Sequence, residues 1–547
     1  MFKLQNNFTS LLKDGYKTYS GVEETIMRNI DAVKEISSMT RTSLGPNGMN
    51  KFIVNHLDKL YMTKDSGVMC RELDVNHPSV RLIVNSSKQQ EQECGDNTNY
   101  VITIAGEFLT KAEELIKAGL HPSDIMAGYE KGLAKTFELF ESAKRMEVED
   151  IHNVKEVSKV IKSVIGTKLV QKQDNFLAPL IAEACVLACP PKNPELFNEE
   201  NVRVARMLGG SVYDSLVIKG MVVVRHIEGA ITKAEKCKVA VFNCPFENIG
   251  CETKDTVLFK NADELLGYTK SEEDNIERIV KDLVDAGVKA VVVGGSVSNI
   301  AIHYLDRYKV LVLRTLSKFE LRRIAKAVGA FPLVRLGTPL PEELGYADSI
   351  CVDEIGSQKC VVITRDSEDN KMSTILIRGS TSNILENTER VIEDGVNAYK
   401  NLCRSNLYVP GAGAFESHLC NEIKEYAKTN TSLEQYSIDK FAESFQILPR
   451  TILENSGLKI EEVMSNLLSK NKSDSSLGVC YKTGEIKNAF TDLEVFDHLE
   501  TKKWAIKFAM DSVITILKID QIVISKPAGG PKAAQQGQKP GWDNEEM

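Results

Sequence analysis

No Cys-x-x-Cys pair occurs in this chain, although it holds twelve cysteines. The nearest two, Cys185 and Cys189, stand four apart on an apolar helical run, where buried free thiols fit better than metal ligands. The eight histidines form no HExxH or similar cluster, which removes the usual zinc signatures. Basic surplus is also missing: a net charge of −8 speaks against a nucleic-acid surface built on lysine and arginine. The stretch Met1 to Asn7 lacks a signal-peptide core, and no uncharged run approaches membrane-spanning length. A reduced, soluble, cytosolic protein without nucleic-acid or membrane partners is expected. No G-x-x-x-x-G-K-[ST] loop and no kinase motif set occurs, so any nucleotide site needs another loop design. Gly294-Gly295-Ser296 follows an apolar run but lacks the G-x-G-x-x-G spacing and reads as a plain strand-to-helix turn. With no nucleophile–His–acid set, a small-molecule α/β enzyme in the middle of the chain is disfavoured.

What is present is an ordinary globular composition, 42% hydrophobic and 26% charged, in 547 residues, enough for two to four domains. Val22, Ile26, Ile30, Val33 and Ile36 recur at spacings of three and four and predict an amphipathic helix over 22–39 that ends near Thr42. Gly45-Pro46-Asn47-Gly48 breaks it, and 51–62 reads as a hairpin turning at His56 to Lys59. Residues 79–147 are strongly helical, with Pro122 opening a new helix, and 148–213 remain largely helical. Short β-rich runs follow at 217–225 and 238–243. Helices at 275–286, 298–308 and 319–328 then alternate with strands at 290–293 and 310–313, which predicts a parallel α/β module. After β-rich runs at 359–364 and 373–378, helices return at 386–402 and close with 504–517. The end of the chain is rich in Gly, Pro and Gln and reads as disordered. Helical, then α/β, then helical describes a discontinuous helical domain with a module inserted through it.

Four polar, glycine-bearing breaks stand out in the helical parts: Gly45-Pro46-Asn47-Gly48, Asp65-Ser66-Gly67, Gly95-Asp96-Asn97-Thr98-Asn99 and Gly411-Ala412-Gly413. The third lies between two helical runs, so its glycine permits close approach of an anion and the next helix presents its positive end. Asp96 has the chemistry to hold the magnesium that accompanies a triphosphate. Taken alone, the same residues are ordinary turn chemistry, with Asp96 or Asn97 capping a helix. Asp394 has an equally plain alternative, an i,i+4 surface pair with Arg390.

In these segments the chain resembles the group II chaperonins, the family of the eukaryotic cytosolic chaperonin TRiC/CCT. Arg41 to Lys51 is similar to the family's first nucleotide loop, Gln90 to Asn99 to its phosphate loop, and Val409 to Glu416 to its third glycine segment; Val523 to Lys532 is close to one subunit type. The resemblance implies a multidomain α and α/β subunit. It has a helical equatorial ATPase domain (1–147 and 403–526), a small intermediate domain (148–214 and 369–402), an inserted α/β apical domain (215–368) and a tail (527–547). It implies ATP and Mg²⁺ as cofactors, with Asp96 on the metal and Leu44, Gly45, Pro46, Gly48, Gly95, Asn97, Thr98, Asn99, Gly411, Ala412 and Gly413 around the nucleotide. Asp65 and Asp394 would activate water, and Asp497 would face the ribose or base. Implied partners are paralogous subunits in a hetero-oligomeric double ring, non-native polypeptides such as actin and tubulin, and a prefoldin-type co-chaperone. A lid is expected from 247–280, and substrate contact from the basic face near 298–326. Asn97 and Ala412 replace glycines of the family pattern, and they motivate a second reading: a nucleotide-binding scaffold subunit with little hydrolysis of its own.

Overall fold

The computed structural model describes residues 17–20, 22–55, 58–73, 75–169, 173–247, 261–355, 358–365 and 372–524. The expected tail and part of the expected lid, 248–260, lie outside the described residues; from Ala262 the lid stretch is helical, within a helix that runs to Asp285.

Both ends of the chain build one helical core. Helices Val22–Arg41, Pro78–Cys94, Thr98–Lys117 and Pro122–Ser142 come from the N-terminal part, and Ala414–Thr429, Glu434–Ser444 and Leu499–Leu517 from the C-terminal part. Ile30, Val33, Ile104, Phe108 and Tyr129 share one buried cluster with Phe415, Phe441, Phe445, Met510 and Val513. The spacing of Ile26, Ile30 and Val33 puts these side chains on a single helix face, and that face is the buried one. Phe108 stacks on Phe441 across the two halves, centroids 4.9 Å apart and 5° from parallel. Helix Pro122–Ser142 comes this close because Gly132 faces that ring; a Cβ there would lie 2.6 Å from Phe441 Cδ1. Strand Lys17–Ser20 pairs antiparallel with Gln521–Ile524.

A second core joins helices Val154–Ile165, Asp174–Ala188 and Ser382–Arg404 to a three-stranded sheet in the order Val202–Leu208, Ser373–Gly379, Leu216–Lys219. The strand Val202–Leu208 corrects the reading of 148–213 as largely helical: it pairs in parallel with Ser373–Gly379, a partner some 170 residues away that no local pattern reveals.

The third body is a seven-stranded sheet in the order Met221–Val223, Gln358–Thr364, Gly345–Ile355, Lys233–Phe242, Val288–Val293, Leu311–Arg314, Ile227–Glu228. Only the ladder of Lys233–Phe242, Val288–Val293 and Leu311–Arg314 is parallel; the outer pairings are antiparallel, so the expected parallel module is a mixed sheet. Gly345–Ile355 escapes sequence reading because Asp348, Asp353 and Glu354 dilute its apolar alternation. The predicted run 217–225 is two strands in two sheets. Gly220, at φ +113°, lets the chain cross between them, and a Cβ there would lie 2.2 Å from the Ile363 carbonyl oxygen.

Truncating the ring that joins the two chain ends tests this architecture. Phe441→Ala is expected to lower stability by about 3–5 kcal/mol, read as a drop in the thermal or denaturant midpoint of the full chain.

Candidate nucleotide site

A cleft of about 620 Å³ opens where the helical core meets the second core. Its walls come from 43–46, 64–66, 96–100, Lys159, 162–163, 166–169, 174–175, 412–413, Leu448, Ile452, 479–482, 492–495, Asp497 and Lys502. Two long helices point their N-termini into it. Asn97, at φ 66° and ψ 20°, precedes Thr98–Lys117, and Gly413, at φ 76° and ψ 5°, precedes Ala414–Thr429. Neither helix has a side-chain cap, so first-turn N–H groups are left for an anion. The left-handed residue in front of each helix turns the chain sharply at the cleft wall.

The loops are fastened by side-chain amides and hydroxyls. Asn99 Nδ2 donates to the Thr40 carbonyl and to Ser43 Oγ, both at 3.1 Å, tying the phosphate loop to the first loop. Asn455 Nδ2 donates to the carbonyls of Arg41 at 3.1 Å and Leu44 at 2.8 Å. Asp65 caps Ser66–Glu72 by accepting from the Gly67 and Val68 N–H groups at 3.2 and 3.3 Å, and it also accepts from Thr98 Oγ1 at 3.3 Å. It is thus a turn residue and a cleft residue at once.

Of the residues singled out in the sequence, Leu44, Gly45, Pro46, Asp65, Asp96, Asn97, Thr98, Asn99, Ala412, Gly413 and Asp497 line the cleft. Gly48, Gly95 and Gly411 do not; they stand behind it as points of close approach. A Cβ on Gly48 would lie 2.2 Å from the Ser43 carbonyl oxygen, on Gly95 2.3 Å from Asn397 Nδ2, and on Gly411 2.8 Å from Val495 Cγ1. Asp394 also stands behind the wall. It does not pair with Arg390, whose partner is Glu386 at 3.9 Å. Instead Asp394 Oδ2 accepts from Lys168 Nζ at 2.6 Å, and the same ammonium lies 3.5 Å from Asp96 Oδ1. Burial pushes the Asp394 carboxyl up to about 8; Lys168 opposes the shift, and Asp65 and Asp96 add to it. The same three aspartates hold the Lys168 ammonium firmly protonated despite its burial.

Lys168 was not legible as a site residue, since its turn, Gly166-Thr167-Lys168, follows a helical pattern without a break of its own. Lys502 left a clearer trace: it sits between Leu499 and Ile506 on the apolar face of Leu499–Leu517, where a lysine is out of place. The apolar wall of Leu448, Ile452, Val479, Leu493 and Val495 was not anticipated. Among the described residues no group of three or more His, Cys, Asp or Glu forms a metal cage. No described helix is long and apolar enough to cross a membrane.

The family model of the TCP-1/cpn60 chaperonins matches residues 36–527, a span that includes every one of these walls. The chain belongs to the TCP-1/cpn60 chaperonin family. It is 46% identical over 530 residues to T-complex protein 1 subunit theta of Dictyostelium discoideum, covering 97% of this chain and 98% of that protein. It is 43% identical over 526 residues to the theta subunit of Arabidopsis thaliana (96% and 95% covered), and 42% identical over 545 residues to that of Homo sapiens (98% and 98%). The resemblance at the C-terminal end is therefore to the theta type of chaperonin subunit.

Within this chaperonin chain the two replaced glycines keep glycine-like backbones. Asn97 has φ 66° and Ala412 φ 52°. The Ala412 methyl faces Gly478, whose own Cβ would lie 3.1 Å from it. Ala412→Gly is expected to raise stability by about 0.5–1 kcal/mol, since left-handed backbone strain is relieved and only partly offset by unfolded-chain entropy; the shift in denaturant midpoint checks it.

His498 supplies a pH dependence. Its Nδ1 accepts from the Thr501 N–H at 3.2 Å, capping Leu499–Leu517, and its Nε2 lies 3.0 Å from the Ser405 carbonyl, so the neutral ring carries its proton on Nε2. Burial lowers its pKa from 6.5 to about 4. The unfolded chain therefore binds this proton first, and the stabilisation present above pH 6.5 drains away as pH falls towards 4. His498→Asn, which keeps a capping acceptor, is expected to flatten the melting temperature between those pH values.

Proposed function

We propose that the chain is an ATP-hydrolysing subunit of a cytosolic, hetero-oligomeric double-ring chaperonin, which closes its chamber on ATP and so folds non-native polypeptides. The supporting observation is convergence. Two uncapped helix N-termini, Asp96, and the Lys168–Asp394 pair, drawn from four distant parts of the chain, share one cleft and its immediate wall. On this reading 1–147 with 403–526 is the equatorial domain, 148–214 with 369–402 the intermediate domain, and 215–368 the apical domain.

The residues fit a magnesium–triphosphate. The uncapped starts of Thr98–Lys117 and Ala414–Thr429 suit phosphate oxygens, although the Ala414 N–H itself donates to the Gly411 carbonyl at 3.0 Å, and the apolar wall suits a purine. A single carboxylate, Asp96, suffices because magnesium keeps phosphate and water as its other ligands. Bound there, the metal neutralises charge on the phosphates. The chain's own part is positioning and proton transfer. Asp65 is held by two backbone N–H groups and Thr98, and so presents a fixed acceptor for water. Asp394 lies on the Lys168 ammonium behind Asp96, and burial raises its carboxyl's affinity for a proton, which suits a group that takes up the proton of the attacking water. It rides on Ser382–Arg404, a helix of the second core, so its reach into the cleft depends on how that body sits. Asn97 and Ala412 hold left-handed backbone angles of the kind glycine adopts, which supports a loop shaped for nucleotide.

Paralogous subunits as ring neighbours, actin- or tubulin-like clients, and a prefoldin-type delivery partner belong to the same proposal. The client face includes Lys318, Arg322, Arg323 and Lys326, exposed on Lys318–Val328 beside exposed Phe319.

Rings carrying Asp394→Ala in this subunit alone provide the test. ATP binding is expected to persist, while single-turnover hydrolysis at this subunit falls about 10²–10⁴-fold. Unchanged turnover at this subunit would overturn the assignment of Asp394.

A further inference from the structure

The cleft holds a second lysine among carboxylates. Lys502 Nζ lies 2.5 Å from Asp497 Oδ2 and 2.5 Å from Glu416 Oε1, with its side chain 2% exposed and that of Glu416 fully buried. The ammonium also sits 5.8 Å from the ring centroids of both Tyr100 and Phe415. Tyr100 belongs to the first turn behind the phosphate loop, Glu416 to the helix of the third glycine segment, Asp497 to strand Phe496–His498, and Lys502 to the first turn of the last helix. Among the described residues the buried Tyr100 hydroxyl has no hydrogen-bond partner, and the Lys502 ammonium is the cation against Glu416.

These groups do not face the cleft equally. Asp497, Lys502 and Tyr100 line it and Glu416 does not. Of the two carboxylates only Asp497 meets solvent, at 29% side-chain exposure. The Lys502 ammonium lies between the two carboxylates, and of these the only one with an edge on the cleft is Asp497. The apolar wall of Leu493 and Val495 leads to it along the chain. A carboxylate beside an apolar slot is chemistry that recognises a polyhydroxyl group attached to a flat apolar ring. Asp497 alone would be a mobile acceptor next to a like charge. Lys502 removes that freedom by holding one of its oxygens.

We infer that Lys502 is the positioning residue for ribose recognition: it pins Asp497 Oδ2 so that the other carboxylate oxygen accepts from a ribose hydroxyl of the bound nucleotide. This rests on the nucleotide reading above and adds to it a residue that determines sugar selectivity. Glu416 anchors the lysine from behind, which fixes the sugar contact to the helix whose N-terminus faces the phosphates.

The test measures binding of MgATP and of its 2′-deoxy and 3′-deoxy forms to the full-length chain. The wild-type chain is expected to prefer ATP over one of the deoxy forms by about 10–100-fold, the range for a hydrogen bond to a charged acceptor. Lys502→Met leaves Glu416 buried and unpaired and risks misfolding, so Lys502→Met with Glu416→Gln is made beside it. In the folded variant ATP affinity is expected to fall about tenfold while deoxy affinity stays, so the preference collapses; Glu416→Gln alone keeps it. A merely structural lysine would weaken ATP and deoxy-ATP alike. Uniform weakening, a preference that survives in the double variant, or a wild-type chain that binds ATP without ribose preference would each overturn the inference. A wild-type chain that binds none of the three nucleotides would instead overturn the nucleotide reading.

Discussion

The contact on which the rest depends is the ion pair of Lys168 with Asp394, 2.6 Å long, with Asp96 3.5 Å away on the other side of the same ammonium. Withdrawing such charges from water is costly unless each finds its partners. Here the partners come from different bodies: Asp394 from a helix of the second core, Asp96 from the loop before Thr98–Lys117 in the first. The Lys168–Asp96 contact therefore registers one body against the other, while Lys168–Asp394 lies within the second core. Asn401 Nδ2, donating to the Cys94 carbonyl at 2.7 Å, and the close approach of Asn397 to Gly95 hold the same helix against the same loop. Asp394 thus sits on a different body from the loop it approaches, and burial raises its carboxyl's affinity for a proton.

Around that contact the chain is threaded out and back. The N-terminal helices form half a core and leave an apolar face that the C-terminal helices cover some 300 residues later, with Phe108 on Phe441 at the seam. The middle of the chain forms two further bodies. Gly220 separates them at a single peptide, sending one strand into the three-stranded sheet and the next into the seven-stranded sheet. Membership of the TCP-1/cpn60 family and identity of 42–46% to theta subunits over nearly the whole length agree with this nested build.

The cleft wall repeats one construction at two places, a lysine shared between carboxylates. Lys168 stands between Asp96 and Asp394, and Lys502 between Asp497 and Glu416. In both, one carboxylate faces the cleft and another stands behind it, so the lysine transmits position from the protein interior to the ligand wall.

Local patterns carried much of this in plain view. The period of Ile26, Ile30 and Val33, Pro122 at a helix start, and the glycine-bearing breaks all follow from short-range sterics and backbone entropy, which act within a few residues. The loops lining the site were legible for the same reason, because an anion site at a helix start needs its own small or polar residues in sequence. Strand Val202–Leu208 was not, since its partner is distant, and Gly345–Ile355 was not because charge breaks its alternation even though it forms a hairpin with Gln358–Thr364. Nor was the difference between glycines that line the cleft and those that only permit close approach, such as Gly95 beside Asn397. The sequence by itself determined which segments are helices and which breaks can hold an anion. Only the tertiary structure decided which charges meet, because Lys168 with Asp394 and Lys502 with Glu416 are set by the packing of sequence-distant elements within each core, an interaction across more than 80 residues that no local period records.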